Sequence, residues 1–229
     1  MTLKVYADLE QGSQEWLDAR CGLLTASVIG QLLTPTGKVA KNDKSRRLVY
    51  DLLAQRMTKI VEPVYQSYDM IRGHEDEIEA RVKYSQEIAL IEDVGFITED
   101  RWGFTIGYSP DGLVAGDGLI ECKSRRHALQ IETIISQAVP SDYIAQIQTG
   151  IMVSGRKWCD FISYPAMGGG DMMVLRVHSD NIMQDALLDA ASGFEDEIKQ
   201  RRSEYIDALN NKAIRFFETE RRQELEIHI

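Results

Sequence analysis

The segment from Ser109 to Lys123, Ser-Pro-Asp111-Gly-Leu-Val-Ala115-Gly-Asp-Gly118-Leu-Ile-Glu121-Cys122-Lys123, constrains the fold more than any other stretch of the chain. Two apolar runs flank the turn signal Ala115-Gly116-Asp117-Gly118, so the segment reads as a β-hairpin. With Ala115 to Gly118 as the turn, Leu113 is expected opposite Ile120 and Gly112 opposite Glu121, leaving Asp111 one step along from Glu121. Cross-strand neighbours stand about 5 Å apart, where two carboxylates repel. Glu121 and Lys123 are two apart on a strand and share a face, while Cys122 turns the other way and leaves its backbone carbonyl as a further oxygen donor. Two carboxylates, a carbonyl and water form an oxygen-only set that suits Mg²⁺ or Mn²⁺ and not zinc. Such a cation would turn repulsion into chelation, lower the pKa of an attacking water and stabilise charge on a scissile phosphate, with Lys123 to orient or deprotonate the water. The plain alternative is an exposed hairpin whose Glu and Lys merely solvate its outer face. Two details favour a site. A proline-containing turn delivers Asp111, and Glu121 sits among Leu119, Ile120 and Cys122, where a carboxylate needs a partner or a metal.

Around the hairpin the apolar periodicity changes several times. A helical pattern over 13–33 is interrupted near Gly22, with Thr25-Ala26-Ser27 as the cap of a second helix, and Thr34-Pro35-Thr36-Gly37 ends it. Lys38, Lys41, Lys44, Arg46 and Arg47, with Asp43 the one acid among them, read as a mobile basic loop. It leads into a helix carrying Val49, Leu53, Met57 and Ile60 at helical spacing. Another helix is expected over 68–87, with Ile71, Ile78 and Val82 in its apolar stripe. Short strands are expected over 94–98, 104–108, 113–115 and 119–123, then a helix over 141–153. Strands over 158–164 and 172–178 follow, joined by Met167-Gly168-Gly169-Gly170, and the chain is helical and charged from Asn181 onward. This order predicts an α/β fold, a mixed central sheet flanked by helices, as a single domain over 1–229. Residues from about 181 to 229 form its helical C-terminal extension, packed on the domain or on another subunit.

Composition removes several function classes. A chain of 229 residues can bury a full core. With 44% hydrophobic and 27% charged residues it is neither disordered nor fibrous. Asp and Glu number 36 against 26 Lys and Arg, and the net charge of −10 argues against a chain coated by nucleic acid or spread on an acidic membrane. A basic track inside an acidic shell remains compatible with it. Cys21, Cys122 and Cys159 are too few and too scattered for a disulfide framework or a structural zinc site. No apolar run approaches ~18 residues. The first residues lack the apolar stretch of a signal peptide, so a cytoplasmic protein with no membrane partner is expected.

Four blocks in order carry a family resemblance: Trp16-Leu-Asp-Ala-Arg20-Cys-Gly-Leu-Leu-Thr25-Ala-Ser27, Gly73-His-Glu-Asp-Glu77, Ser109-Pro-Asp111-Gly-Leu through Glu121-Cys-Lys123, and Tyr143-Ile-Ala-Gln146-Ile-Gln148. Pro110-Asp111 followed by Glu121-x-Lys123 resembles the PD-(D/E)xK nuclease core. The fuller run, over half the chain, resembles the phage lambda exonuclease and YqaJ-type viral recombinase family. The resemblance implies a Mg²⁺-dependent exonuclease that degrades one strand of linear double-stranded DNA from its 5′ end. It would release mononucleotides and leave a 3′ single-stranded tail for recombination. Carried over by position, Glu77, Asp111 and Glu121 would bind two metal ions per site, with Mn²⁺ a possible substitute. Lys123 would position the nucleophilic water, and Gln146 and Tyr143 would support the centre from the neighbouring helix. Arg20, Ser27 and Ser109 would form a 5′-phosphate pocket, suited to the planar fork of arginine and to the dipole end at a helix start. The family's further arginine has candidates in Arg125 and Arg126, which arrive earlier than its pattern expects. The partners implied are a toroidal homotrimer around DNA and a single-strand annealing recombinase, in a bacterial cytoplasm and encoded by a phage or prophage. The basic stretch, with Lys38 and Lys41, is a candidate DNA contact through phosphates or a groove.

The remaining residues read more plainly. Trp16 reads as core, His74 as a helix-surface residue and Gln148 as an exposed helix residue. Three cysteines cannot supply a four-cysteine iron–sulfur cluster, which excludes the related nucleases that carry one. Two rivals stay open. One keeps the fold and makes the protein an endonuclease or a 3′ exonuclease; the other is a non-catalytic module that binds DNA ends.

Overall fold

The computed structural model describes residues 2–63 and 67–220. The chain opens with β1 (Lys4–Tyr6), α1 (Gln14–Arg20), β2 (Leu24–Thr25), α2 (Ala26–Ile29) and a 3₁₀ turn (Gly30–Leu32). Two long helices follow, α3 (Asp43–Thr58) and α4 (Tyr68–Glu87), then β3 (Ile91–Glu92), β4 (Phe96–Glu99), β5 (Ile106–Tyr108), β6 (Gly112–Val114) and β7 (Gly118–Arg125). Two more helices, α5 (His127–Ser136) and α6 (Ser141–Ser154), lead to β8 (Trp158–Pro165), β9 (Met173–His178) and α7 (Asn181–Leu209). The α/β class is as expected, but the strands divide into two sheets, ordered β1-β4-β5-β2 and β3-β6-β7-β8-β9. Both are mixed, through the parallel pairs β2–β5 and β7–β8. Helix α6 packs against strands of both sheets and shares with α2, α3 and α7 the larger apolar core. A smaller core lies under α4, where Ala80 and Tyr84 meet Ile120, Cys122 and Ile162.

The hairpin forms, one residue tighter than expected. Ala115 adopts a left-handed φ of 50°, so Val114 pairs with Gly118, Leu113 with Leu119 and Gly112 with Ile120. Asp111 therefore stands level with Glu121 instead of one step along. Gly118 is required there, because a Cβ would lie 2.1 Å from the Trp158 ring.

Several other expectations need correction. The helical pattern over 13–33 divides into α1 and α2, with the expected break near Gly22 and an extended Leu24–Thr25 between them, whereas α5 and the short strands β1, β2 and β3 are additions to the expected elements. Ser13 caps α1 by accepting the Trp16 N–H, whereas the Thr25 side chain makes no capping bond. The basic stretch is only half loop. Leu33 bridges Val39, and α3 starts at Asp43 with an Asn42–Ser45 capping box, placing Lys44, Arg46 and Arg47 on the helix. On α4, Ile71, Ile78 and Val82 are about half exposed (48%, 50% and 48%), and the buried face is Asp76, Ala80 and Tyr84. That face is held by polar bonds: the Tyr84 hydroxyl donates to Asp160 at 2.7 Å, and Asp76 accepts from Ser124 and the Met167 N–H.

The C-terminal extension packs on its own chain. Helix α7 buries Leu187, Ala190, Ala191, Phe194 and Ile198 and contacts α3 and α6. It ends at Leu209, residues 210–220 are not helical, and residues 221–229 lie outside the described residues. No helix among the described residues is long and apolar enough to cross a membrane. Phe194→Ala is expected to cost about 3–5 kcal/mol, the usual range for emptying a buried aromatic site. Urea unfolding reads this directly, and a loss below about 1 kcal/mol would mean that α7 is not docked as described.

Candidate active site

The two hairpin strands bring Asp111 and Glu121 level, and a parallel neighbour, β8, buries the second of them. Glu121 has no exposed surface. Its Oε1 accepts from Lys123 Nζ at 2.5 Å and from Gln146 Nε2, on α6, at 2.5 Å. Its Oε2 is buried and has no partner at hydrogen-bond geometry among the described residues; neither has the Tyr108 hydroxyl, which nevertheless lies near enough to favour the ionised form of Glu121. Asp111 Oδ2 accepts the Cys122 N–H at 2.6 Å. The Cys122 side chain points away into the core beneath α4. Glu77, on α4, lines a cleft of about 700 Å³ together with Asp111, His74, Arg81 and Trp16.

Burial raises the pKa of all three carboxylates, and the charge of neighbouring acids adds to the rise for Glu77 and Glu121. Burial, followed by the charge of Asp111, pushes Glu77 up to about 8, with Glu121 adding to the rise. Burial pushes Glu121 up to about 7, against the pull of Lys123 and with a push from Asp111. Asp111 is also raised, again chiefly by burial. Lys123 shifts upward although burial opposes it, because Glu121 and Asp111 both favour its charged form. The two acids thus hold Lys123 in its charged form while no cation is bound. Among the described residues no three His, Cys, Asp or Glu side chains close into a finished metal cage. The donors nevertheless fit a divalent cation: oxygen only, mutually repelling, and with the buried Glu121 Oε2 unsatisfied.

Arg20, Ser27 and Ser109 do come together. Arg20 donates to the Ser109 hydroxyl at 2.8 Å and approaches the Ser27 hydroxyl at 3.5 Å, and Ser27 in turn lies 3.1 Å from the Thr25 hydroxyl. Trp16 is wall and not core. Its indole N–H donates to Ser109 at 3.0 Å, and its ring lies 4.0 Å beneath the Arg20 guanidinium. Burial lowers the Arg20 pKa to about 10, so it stays charged at neutral pH. No carboxylate pairs with it among the described residues, which leaves its charge available to an anion. Beside it a second cavity, about 390 Å³, is lined by Arg20, Gln31, Lys44, Arg47 and Gln55.

The remaining candidates scatter. Tyr143, stacked on Phe161, accepts from Arg125 at 3.1 Å, and its ring centre is 5.5 Å from Lys123 Nζ. Arg126 instead leaves the centre and pairs with Asp69 on α4. Lys38 and Lys41 are exposed ahead of α3. Gln148 is buried, accepting the Asp180 N–H and donating to the His178 carbonyl, so it fixes the β9–α7 junction. His74 is exposed on the helix surface, as expected. Trp16 and Tyr108 are the residues that sequence reasoning missed. Trp16 is found only through its bond to Ser109 in space, and Tyr108 only through its place beside Glu121.

The raised acids make a stability prediction. Their folded pKa values lie above the unfolded ones, so the folded state holds protons more tightly. Their contribution to stability is fully present below the ordinary glutamate pKa and is lost as pH rises through about 8, where Glu77 ionises. In EDTA at pH 8.5, Glu77→Gln should therefore raise Tm by roughly 3 °C, with the gain vanishing near pH 5. A thermal melt series that shows no gain at high pH would place Glu77 outside the cluster.

Comparison with known proteins agrees with this geometry. The YqaJ-like viral recombinase domain family matches residues 15–157. An alkaline exonuclease from Laribacter hongkongensis, LHK-Exo, superposes with a TM-score of 0.72 at 30% identity, covering 86% of this chain and 100% of that one. The same enzyme in complex with dAMP gives 0.73 at 30% identity with the same coverage. A phage-related exonuclease from Haemophilus somnus shares the fold at a TM-score of 0.55 and 13% identity, over 80% of this chain and 96% of that chain. No curated protein matches the sequence. The architecture is thus of the PD-(D/E)xK exonuclease type. With that fold, and with well over half its length matched, the chain belongs to the YqaJ-like viral recombinase domain family.

Proposed function

We propose that the chain is a Mg²⁺-dependent exonuclease that degrades one strand of linear double-stranded DNA in the 5′→3′ direction, releasing mononucleotides and leaving 3′ single-stranded tails. One observation carries the reading. Ser109, which receives both Arg20 and Trp16, is two residues from Asp111, so an anion held by Arg20 sits beside the carboxylate centre. A terminal 5′-phosphate is an anion of the right kind, since a guanidinium grips phosphate oxygens bidentately. An enzyme anchored this way measures its cut from the 5′ end.

Glu77, Asp111 and Glu121 would hold the metal, with the Cys122 carbonyl as a further ligand, two ions per site and Mn²⁺ as a substitute. When bound, the metal supplies Lewis acidity that activates water and offsets charge on the phosphate. Gln146 and Lys123 hold Glu121 in one orientation. Protonated Lys123 orients the attacking water and donates to developing charge. Tyr143 and Arg125 brace the lysine's other side. Arg126, exposed and paired with Asp69, would stay a DNA contact outside the metal centre.

Lys44 and Arg47 line the cavity beside the pocket together with Asp51, and Lys38 and Lys41, exposed ahead of α3, would extend a basic approach to it. The whole chain acts as one nuclease domain with α7 as its extension. A toroidal homotrimer would enclose DNA within an acidic exterior, and the half-exposed apolar face of α4 supports a subunit contact. The family's recombinase name supports a role with a single-strand annealing protein in phage or prophage recombination, in the bacterial cytoplasm.

The test uses linear duplexes labelled on one strand, with and without a 5′-phosphate, in Mg²⁺. Stepwise loss of the 5′-phosphorylated strand is expected, abolished in Glu121→Ala. Arg20→Ala should lower the preference for the phosphorylated end at least about tenfold, the scale of a lost charge-assisted hydrogen bond. Cleavage of closed circles or loss from the 3′ end would overturn the polarity. End binding with no cleavage would make the chain a binding module.

A further inference from the structure

We infer that Gln55 and Arg56, near the end of α3, are positioning residues for the anion pocket, and that α7 acts on the pocket through Glu195. The inference rests on the reading of Arg20, Ser27 and Ser109 as a 5′-phosphate site. Arg20 is the last residue of α1, and only Cys21, Gly22 and Leu23 separate it from β2, which leads to Ser27. The course of that three-residue link decides where Arg20 stands relative to Ser27.

Helix α3 holds the link by both backbone groups of Gly22. Gln55 Oε1 accepts the Gly22 N–H at 2.8 Å, and Arg56 Nε donates to the Gly22 carbonyl at 2.7 Å. The fit is close. Gly22 has a φ of +72°, and a Cβ there would stand 2.6 Å from Arg56 Cγ. The other two guanidinium nitrogens of Arg56 form a bidentate pair with Glu195, both at 2.6 Å. Glu195 is the one charged residue among the buried positions of α7, which are otherwise apolar. Its carboxylate is satisfied by Arg56 alone among the described residues, and a paired, planar fork leaves Arg56 one orientation for its third nitrogen. The chain of contacts therefore runs Glu195, Arg56, Gly22, Arg20.

A residue that only stabilised the fold would affect cleavage of all ends alike. A positioning residue for the phosphate changes the ratio of rates on 5′-phosphorylated and 5′-hydroxyl duplexes. That ratio, with KM and kcat for each end, is measured for the full chain and for Gln55→Leu, Arg56→Lys and Glu195→Gln. Circular dichroism and a thermal melt accompany each variant. In Gln55→Leu and Arg56→Lys the ratio is expected to fall about tenfold, carried by KM for the phosphorylated end, with a smaller fall in Glu195→Gln. In an Arg20→Ala background Gln55→Leu should add nothing further, because the group it positions is gone. An unchanged ratio, or an equal fall on both ends, overturns the inference. Should the two salt-bridge variants fail to fold, Gln55→Leu decides alone, since it leaves Arg56 and Glu195 paired. A wild-type protein indifferent to the 5′-phosphate would instead overturn the pocket reading, and this inference with it.

Discussion

A carboxylate buried in the middle of β7 is the constraint on which the rest of the site depends. Ionised and alone in that setting, Glu121 would cost several kcal/mol. The structure offsets this with an ammonium two residues along the same strand and an amide from α6, both on one oxygen. The other oxygen has no partner at hydrogen-bond geometry among the described residues, the Tyr108 hydroxyl being the donor near it. A fold selected only for stability would close that gap with a donor or replace the acid by a leucine. Keeping it open, next to Asp111 and Glu77, makes sense only if something positively charged completes the set. Strand β7 must also be central, since β6 and β8 exclude water from its two edges. The arrangement of the second sheet thus follows from what Glu121 needs.

The anion pocket obeys different physics. Arg20 is charged and has no carboxylate partner among the described residues, but it is not buried in an apolar core. It lies flat on the Trp16 ring, with hydroxyls at its edge. An aromatic face and neutral acceptors stabilise a guanidinium without neutralising it. Carboxylate pairing would have been stronger and would have silenced it. The two half-sites are therefore complementary in sign: one gathers negative charge to receive a cation, the other leaves positive charge to receive an anion. Ser109 and Asp111, two residues apart on one short connection between β5 and β6, hold them in register.

The chemistry was more legible in the sequence than the architecture. The turn signal at Ala115 and the Glu121-x-Lys123 spacing located the hairpin, because period-2 patterning and glycine placement act locally. The observed register differs by one, with Ala115 left-handed and Gly118 paired to Val114 against the Trp158 ring, a contact 40 residues distant that local patterning does not register. On α4 the limits were placed well, and the buried face was not. Apolar residues were read as inward, whereas Asp76 and Tyr84 are buried by hydrogen bonds that hydropathy does not register. Trp16 looked like core for the converse reason: its size suggests burial, and only the position of Arg20 and Ser109 shows it to be a platform. Arg126 stood in the right stretch of sequence, but Asp69 is its partner.

The polar fixing of α4 has a consequence for the cleft. An apolar helix face tolerates sliding along a sheet, because one aliphatic contact replaces another. Asp76 and Tyr84 are two turns apart, about 12 Å along the axis, and each makes directional bonds to a different strand or loop. A shift of one helical turn would break both at once, taking Asp76 from Ser124 and the Met167 N–H and the Tyr84 hydroxyl from Asp160. The register of α4 is thereby set from both ends of its buried face. Glu77 follows Asp76 directly, so the bond that ties Asp76 to Ser124, one residue beyond Lys123, also sets the height of Glu77 above Asp111 and Glu121. Polar burial here costs more than a leucine stripe would, and it sets the position of a third carboxylate that apolar packing would leave free to slide.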